Sequence, residues 1–260
     1  MKNIVFWFFG KGNSLQAAKT ILKELGGGEA VSMARPGRYC LTGEYDTIGF
    51  VFPLYYLGLP KAVHGFVANL DIGNNKDAYY YAIMTCGGAK TNSGILQVNN
   101  YLSDMHGIRL AYGQRLVMVP NNVLIYDMMR NTSWYMRNYE KSISKAVNNI
   151  KIKHISRMRK PNALLNYINK KFIERVSAED RNYTVDDACN GCGICEEVCP
   201  VKNINMADGK PKYNNNCEQC VACIQYCPQK AIDYKNRTQN RRRYTNPEIS
   251  YKELSKYNNM

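Results

Sequence analysis

Apolar side chains run without a break from Ile4 to Phe9 and stop at Gly10-Lys11-Gly12. An unbroken apolar run of this length suits a central parallel strand, because both of its faces are covered. Leu15 to Leu25 then recur at helical spacing and end at Gly26-Gly27-Gly28, a glycine stop that suits a helix C-terminus. The alternation continues with a strand over Asp46–Phe52 and a helix from Lys61 to about Leu70. Next come a strand over Tyr79–Thr85, a helix from about Asn92 to Met105, and a further strand around Leu110–Val119. Strands alternating with helices at this spacing predict an α/β, doubly wound parallel sheet. A ligand is then expected at the carboxyl ends of the strands, where Gly10–Ser14, Pro53–Gly58 and Thr85–Gly88 fall. Residues 121–178 read as two or more helices whose Lys and Arg side chains alternate with apolar positions such as Val147, Ile150, Leu165 and Phe172.

Beyond residue 182 the apolar pattern thins out and cysteine takes over. The run Cys189-x2-Cys192-x2-Cys195-x3-Cys199-Pro200 recurs as Cys217-x2-Cys220-x2-Cys223-x3-Cys227-Pro228, each position offset by 28 residues. Three thiolates at this spacing let one loop wrap three corners of an iron–sulfur cube, while the fourth turns toward a second cube. A zinc ribbon also uses paired C-x2-C units, but with four ligands. It leaves eight cysteines and two following prolines unexplained. The stretch 182–235 resembles the bacterial two-cluster ferredoxin module. That pattern implies one [4Fe–4S] cluster on Cys189, Cys192, Cys195 and Cys227 and another on Cys217, Cys220, Cys223 and Cys199. The module has few apolar side chains (Val185, Ile194, Val198, Ile204, Val221, Ile224 and Ile232 among them), so the clusters are expected to serve as its core.

The turn Gly10-Lys11-Gly12-Asn13-Ser14, between a strand and a helix start, offers free backbone N–H groups and a helix dipole to an anion. A ligand-free turn explains the same residues equally well. With the downstream motifs the resemblance sharpens. Phe8–Ser14, Phe52–Pro60, Thr85-Cys86-Gly87-Gly88 and Met118–Asn122 together look like the cofactor loops of a flavodoxin-type domain. The whole chain resembles two-domain flavodoxin–ferredoxin fusion proteins of anaerobes. The resemblance implies a five-stranded parallel sheet of order 2-1-3-4-5 and FMN as cofactor. It puts the phosphate over Gly10, Lys11, Gly12, Asn13 and Ser14. The flavin would lie against Pro53, Leu54, Tyr55, Tyr56, Leu57 and Gly58, with Tyr55 or Tyr56 stacked on the isoalloxazine and Thr85, Cys86, Gly87 and Gly88 along its polar edge. One departure stands out: the family carries hydroxyl residues where this chain has Phe9 and Lys11. Only Ser14 keeps a hydroxyl, and Lys11 can compensate by charge.

Four regions follow: an FMN-binding domain over 1–150, a basic helical connector over 151–181, a small α+β two-cluster ferredoxin domain over 182–235, and a basic C-terminal tail over 236–260. The 260-residue chain has a formal net charge of +14, which invites nucleic acid or a membrane surface as partner. Its distribution argues otherwise: residues 121–178 carry +9 and 235–260 carry +5, while 183–234 carry −3. Redox partner proteins of acidic character are therefore expected, with neither nucleic acid nor membrane insertion. No run of about 18 apolar residues is present and the apolar N-terminus is too short for a signal core, so a cytoplasmic protein is expected. Ten cysteines without an export signal suit a reducing compartment. Cys40 lacks a motif, a lone Cys86 is most simply a small buried hydrophobe, and His64, His106 and His154 lack ligand spacing. No nicotinamide motif follows from Gly10-x-Gly12, which lacks the third glycine. The reading is an electron-transfer iron–sulfur flavoprotein. Two others compete with it: a flavin-dependent reductase with its own substrate, and a nucleic-acid binder with structural clusters.

Overall fold

A computed structural model describes the chain except for residue 9, residues 35–36, residue 130, residues 160–161 and residues 259–260. The departure noted at Phe9 lies outside the described residues. Strands β1 (Asn3–Trp7), β2 (Glu29–Ser32), β4 (Thr47–Pro53), β6 (Tyr79–Cys86) and β7 (Tyr112–Val117) form a five-stranded parallel sheet. Its order is β2-β1-β4-β6-β7. Two short strands, β3 (Tyr39–Cys40) and β5 (Leu70–Asp71), pair with each other outside it. Counting sheet strands alone gives 2-1-3-4-5, the flavodoxin-like order. The edge strand β2 is the one element of the sheet that periodicity misses, because it is four residues long and mostly half-exposed.

Side chains alternate across the sheet and feed two cores. Val5, Trp7, Val51, Tyr81 and Ile83 pack against α1 (Asn13–Glu24) and α4 (Ser133–Lys151). Ile4, Phe6, Phe50, Phe52 and Met84 pack against α2 (Lys61–Ala68) and α3 (Ser93–His106). The basic face of α4 is thus the solvent side of a helix whose Tyr139, Ile143, Val147 and Ile150 are buried.

Helix α5 (Ala163–Val176) runs on through a 3-10 turn (Ser177–Asn182) into the cysteine domain. That domain holds β8 (Tyr183–Val185), α6 (Ile194–Glu197), β9 (Ile204–Ala207), β10 (Lys210–Tyr213), α7 (Ala222–Tyr226) and β11 (Ile232–Tyr234). Its strands pair crosswise, β8 with β11 and β9 with β10, all antiparallel. The 28-residue repeat is also a repeat of backbone shape. Left-handed φ angles occur at Gly191 and Gln219, Gly193 and Val221, Lys202 and Lys230, and Asp208 and Asn236.

Two segments tie the domains together. Asn169 of α5 is fully buried. Its Nδ2 donates to the carbonyls of Tyr55 and Leu59, both at 3.1 Å. Its Oδ1 accepts from Gln97 Nε2 at 3.2 Å and faces His64 Nε2 at 3.0 Å. Burial holds the His64 pKa below its usual value; neutral His64 then donates from Nε2 and accepts the Tyr101 hydroxyl at Nδ1, 2.9 Å away. The second tie is the basic tail, which folds back onto the N-terminal domain and ends in α8 (Tyr251–Asn258). Ile249 and Leu254 join the α1/α4 core, and Tyr257 packs edge-on against Trp7. The Asn246 N–H donates to the Lys11 carbonyl at 3.0 Å. A Cβ on Gly12, whose φ is 96°, would stand 2.7 Å from the Asn246 Cβ and 2.8 Å from the Ile249 Cβ.

Replacing Asn169 by Ala strands several buried polar groups and is expected to cost about 2–4 kcal/mol in chemical denaturation. Gly12→Ala combines a left-handed φ with a backbone-proximal clash and is expected to lift the tail off the loop. Hydrogen exchange over residues 244–258 should then rise, and an unchanged exchange pattern would refute this account of the contact.

Candidate functional site

The cysteines assemble into two groups. Cys189, Cys192, Cys195 and Cys227 line one small cavity together with Ile194, Met206 and Ile232. Cys199, Cys217, Cys220 and Cys223 line a second, together with Tyr183, Tyr213 and Val221. In each group three thiols come from one repeat and the fourth from the other. Backbone N–H groups donate to sulfur at matching positions: Asn203 to Cys199 at 3.2 Å and Ala231 to Cys227 at 3.3 Å. Such bonds stabilise charge on a ligating sulfur. Among the described residues no three His, Cys, Asp or Glu side chains are placed to hold a single metal ion. Four cysteines around one cavity are a donor set that an iron–sulfur cube takes.

Burial differs between the groups. Cys192 is exposed and Cys189 is partly so, whereas Cys220 and Cys223 are buried. Burial pushes the Cys195 and Cys217 thiols up to about 12 and raises those of Cys199, Cys220 and Cys223 as well. Metal ligation must then expel protons, and loading is favoured as pH rises. Glu218, between two cysteines of the second group, is also buried. Desolvation lifts its carboxyl to about 7, opposed by the backbone N–H groups of Ala62 and Lys61 at the start of α2.

At the carboxyl ends of β1, β4 and β6 lies a cleft of about 340 Å³. Of the residues picked out from sequence, Lys11, Asn13, Pro53, Leu54, Tyr55, Tyr56, Leu57, Thr85, Cys86 and Gly87 line it, as do Met118, Val119, Asn121 and Asn122. Gly10, Gly12, Ser14, Gly58 and Gly88 lie in the same loops but do not form its walls. Periodicity and motif miss Phe172 from α5 and Gln219 and Val221 from the cysteine domain, which close the far side. Gln219 and Val221 carried a signal: they replace Gly191 and Gly193 of the first repeat. Phe172 carried none.

Tyr56 and Leu57 have φ of 41° and 64°. Tyr55 and Gly58 exchange two 2.9 Å backbone bonds around them, a tight hairpin normally built from Gly or Asn. The strain is held by partners on other elements. Ser93 Oγ donates to the Leu57 carbonyl, and the Tyr56 hydroxyl donates to Gln219 Oε1 at 3.0 Å. The Tyr56 ring stacks on Phe172 at 4.0 Å and 15°, so one of its faces is taken. The Tyr55 hydroxyl is buried without a hydrogen-bond partner among the described residues, and desolvation raises its pKa far above the phenol value.

The loop at residues 10–14 is engaged on all sides. Ser14 Oγ lies 3.1 Å from Thr85 Oγ1 and is fully buried. Asn13 Oδ1 accepts from the Tyr244 hydroxyl and from Asn246 Nδ2, both at 3.0 Å. Lys11 Nζ donates to Asn121 Oδ1 at 2.8 Å and to its carbonyl at 3.1 Å. Burial lowers its pKa to about 8, while Cys220 pulls it upward. A Cβ on Gly10 would lie 2.9 Å from the Cys220 sulfur, so only glycine lets this loop touch the second thiol group. The three tail arginines are engaged too: Arg241 donates to the Val123 carbonyl, Arg242 to the Asp127 carboxylate and Arg243 to the Thr238 carbonyl. Arg242 holds the Asp127 carboxyl down at about 2.

The 4Fe-4S binding domain family (Fer4) matches residues 183–205, which contain the first cysteine run. Among curated proteins none matches the chain. Solved structures similar to it include an FMN-dependent NADH-azoreductase from Bacillus anthracis str. Ames Ancestor in complex with FMN, at 14% identity over 58% of this chain and 99% of that one, TM-score 0.38. Another is an NAD(P)H:quinone oxidoreductase from Methanothermobacter marburgensis, at 13% identity over 58% and 97%, TM-score 0.37. At such scores the fold rests on the strand order, not on these likenesses. No helix among the described residues is long and apolar enough to cross a membrane. The chain joins a flavodoxin-like α/β domain to a ferredoxin-type 4Fe-4S domain.

Proposed function

We propose that the protein is an electron-transfer iron–sulfur flavoprotein. Two [4Fe–4S] clusters sit in the two cysteine cavities and FMN sits in the cleft. The observation that carries this reading is that Val221 lines both the second cysteine cavity and the cleft. The Gly10–Cys220 contact brings the same two regions together at the loop. FMN exchanges one or two electrons and each cluster exchanges one, so the pair converts single-electron traffic into two-electron chemistry.

The residues present fit a flavin. The cleft opens where doubly wound sheets bind ligands, it has apolar and aromatic walls, and it holds one buried ammonium. The chain's own side chains do the rest. Cys192, being exposed, puts the first thiol group within reach of an outside partner. Cys220 and Cys223 keep the second group away from water. Tyr55, Val221 and Phe172 wall the cleft with apolar surface, and Lys11 supplies a positive charge where negative charge gathers. The partner is a redox protein of acidic character, matching the basic residues left on α4 and α5.

A second reading, a reductase with its own substrate, is favoured by one feature. The cleft mouth is bordered by Ile125, 64% exposed, and through Tyr56 and Phe172 it continues into an open groove lined by Ile168, Lys171 and Arg175.

Protein purified without oxygen is expected to hold about eight irons and about one FMN per chain. Zinc in place of iron, or iron without flavin, would overturn the proposal in whole or in half. Cys220→Ala is expected to lose about four irons and to stop flavin reduction through the clusters. Saturable reoxidation of reduced flavin by a small molecule would instead select the reductase reading.

A further inference from the structure

The two repeats share a backbone and differ in what they hang on it. Gly191 and Gly193 of the first repeat have φ of 71° and 76°; their counterparts Gln219 and Val221 have φ of 50° and 58°. The left-handed region suits glycine and is unfavourable for a β-branched residue such as Val. The same loop in the first repeat shows that glycine suffices to shape a thiol-bearing turn. A Cβ at Gly193 would meet nothing within 4 Å, whereas one at Gly191 would stand 3.0 Å from the Gly209 carbonyl oxygen. The second loop faces the cleft, and there both side chains have work. Val221 is 3% exposed and fills the wall between the second thiol cavity and the cleft. Gln219 accepts the Tyr56 hydroxyl at 3.0 Å and donates to the Tyr234 hydroxyl at 3.1 Å. It thereby holds the Tyr56–Phe172 stack in the cleft wall and ties it to the cysteine domain. Strain of this kind persists where the surroundings over-determine it, and it clusters at functional sites.

We propose that Gln219 and Val221 are positioning residues for the flavin cleft, kept at backbone-strained sites not to build the cluster loop but to close the cleft against it. Val221 excludes water from the gap between the two cofactors, and Gln219 fixes the orientation of Tyr56. This rests on the reading of two clusters beside one flavin.

The test makes the second loop like the first. Gln219→Gly and Val221→Gly are combined in the full-length protein, purified without oxygen, and iron content and FMN affinity are measured beside the unaltered chain. Iron is expected to stay at about eight per chain, because glycine already serves at both positions of the first loop. FMN affinity is expected to fall about tenfold, which is ~1.4 kcal/mol. Gly193→Val alone should leave FMN affinity unchanged, since that loop does not touch the cleft and a Cβ there meets nothing within 4 Å. Loss of iron together with FMN from the glycine variant would show a role in the cluster loop itself and overturn the inference. Unchanged FMN affinity with iron retained would overturn it equally. Failure of the underlying reading looks different: the unaltered chain would then lack eight irons or lack flavin.

Discussion

The approach of Gly10 to Cys220 is the contact on which the rest of the structure turns. A loop that begins at a parallel strand and starts a helix must lie within van der Waals reach of a buried thiol on another domain, and only a residue without a side chain permits it. Once this contact is made, the second thiol cavity and the cleft share a wall at Val221. The remaining thiol group is left facing outward, with Cys192 exposed. The two thiol groups thus differ in place, one at the surface and one beside the cleft.

Keeping two domains at such a distance needs more than one contact, because the cysteine domain has little apolar surface of its own. Its hydrophobic cluster consists of a few side chains such as Ile204, Ile224, Ile232 and Tyr183, together with cysteines. The chain therefore clamps it from both sides. Helix α5 reaches the Tyr55–Leu59 hairpin through Asn169, and the tail covers Gly12 and places Ile249 and Leu254 in the core of the other domain. Each clamp also touches a loop of the cleft, so the shape of the cleft and domain docking are one mechanical problem.

The charge of +14 takes on a different meaning in this setting. Part of the positive charge is engaged within the chain. Lys11 is buried beside Asn121 and Cys220, and Arg241, Arg242 and Arg243 are spent on carbonyls and a carboxylate. Under the proposed function the compensating negative charge would lie inside, since metal-bound thiolates and a flavin phosphate are anionic.

Features that depend on local chemistry were legible along the chain. Cysteine spacing repeated at 28 residues marks two runs of four, and buried runs such as Tyr79–Thr85 mark central strands, because both patterns are local. The loops at Gly10–Ser14, Pro53–Gly58 and Thr85–Gly88 were legible for the same reason: each follows a strand. The edge strand Glu29–Ser32 was not legible, since a short half-exposed strand lacks a hydrophobic period. The far wall of the cleft follows from the docking of the two domains. Phe172, Gln219 and Val221 arrive there from more than a hundred residues beyond Tyr56, and the tail closes Gly12 from more than two hundred beyond it. Which side chains meet across such separations follows from how the packed domains dock, and no local pattern along the chain records that.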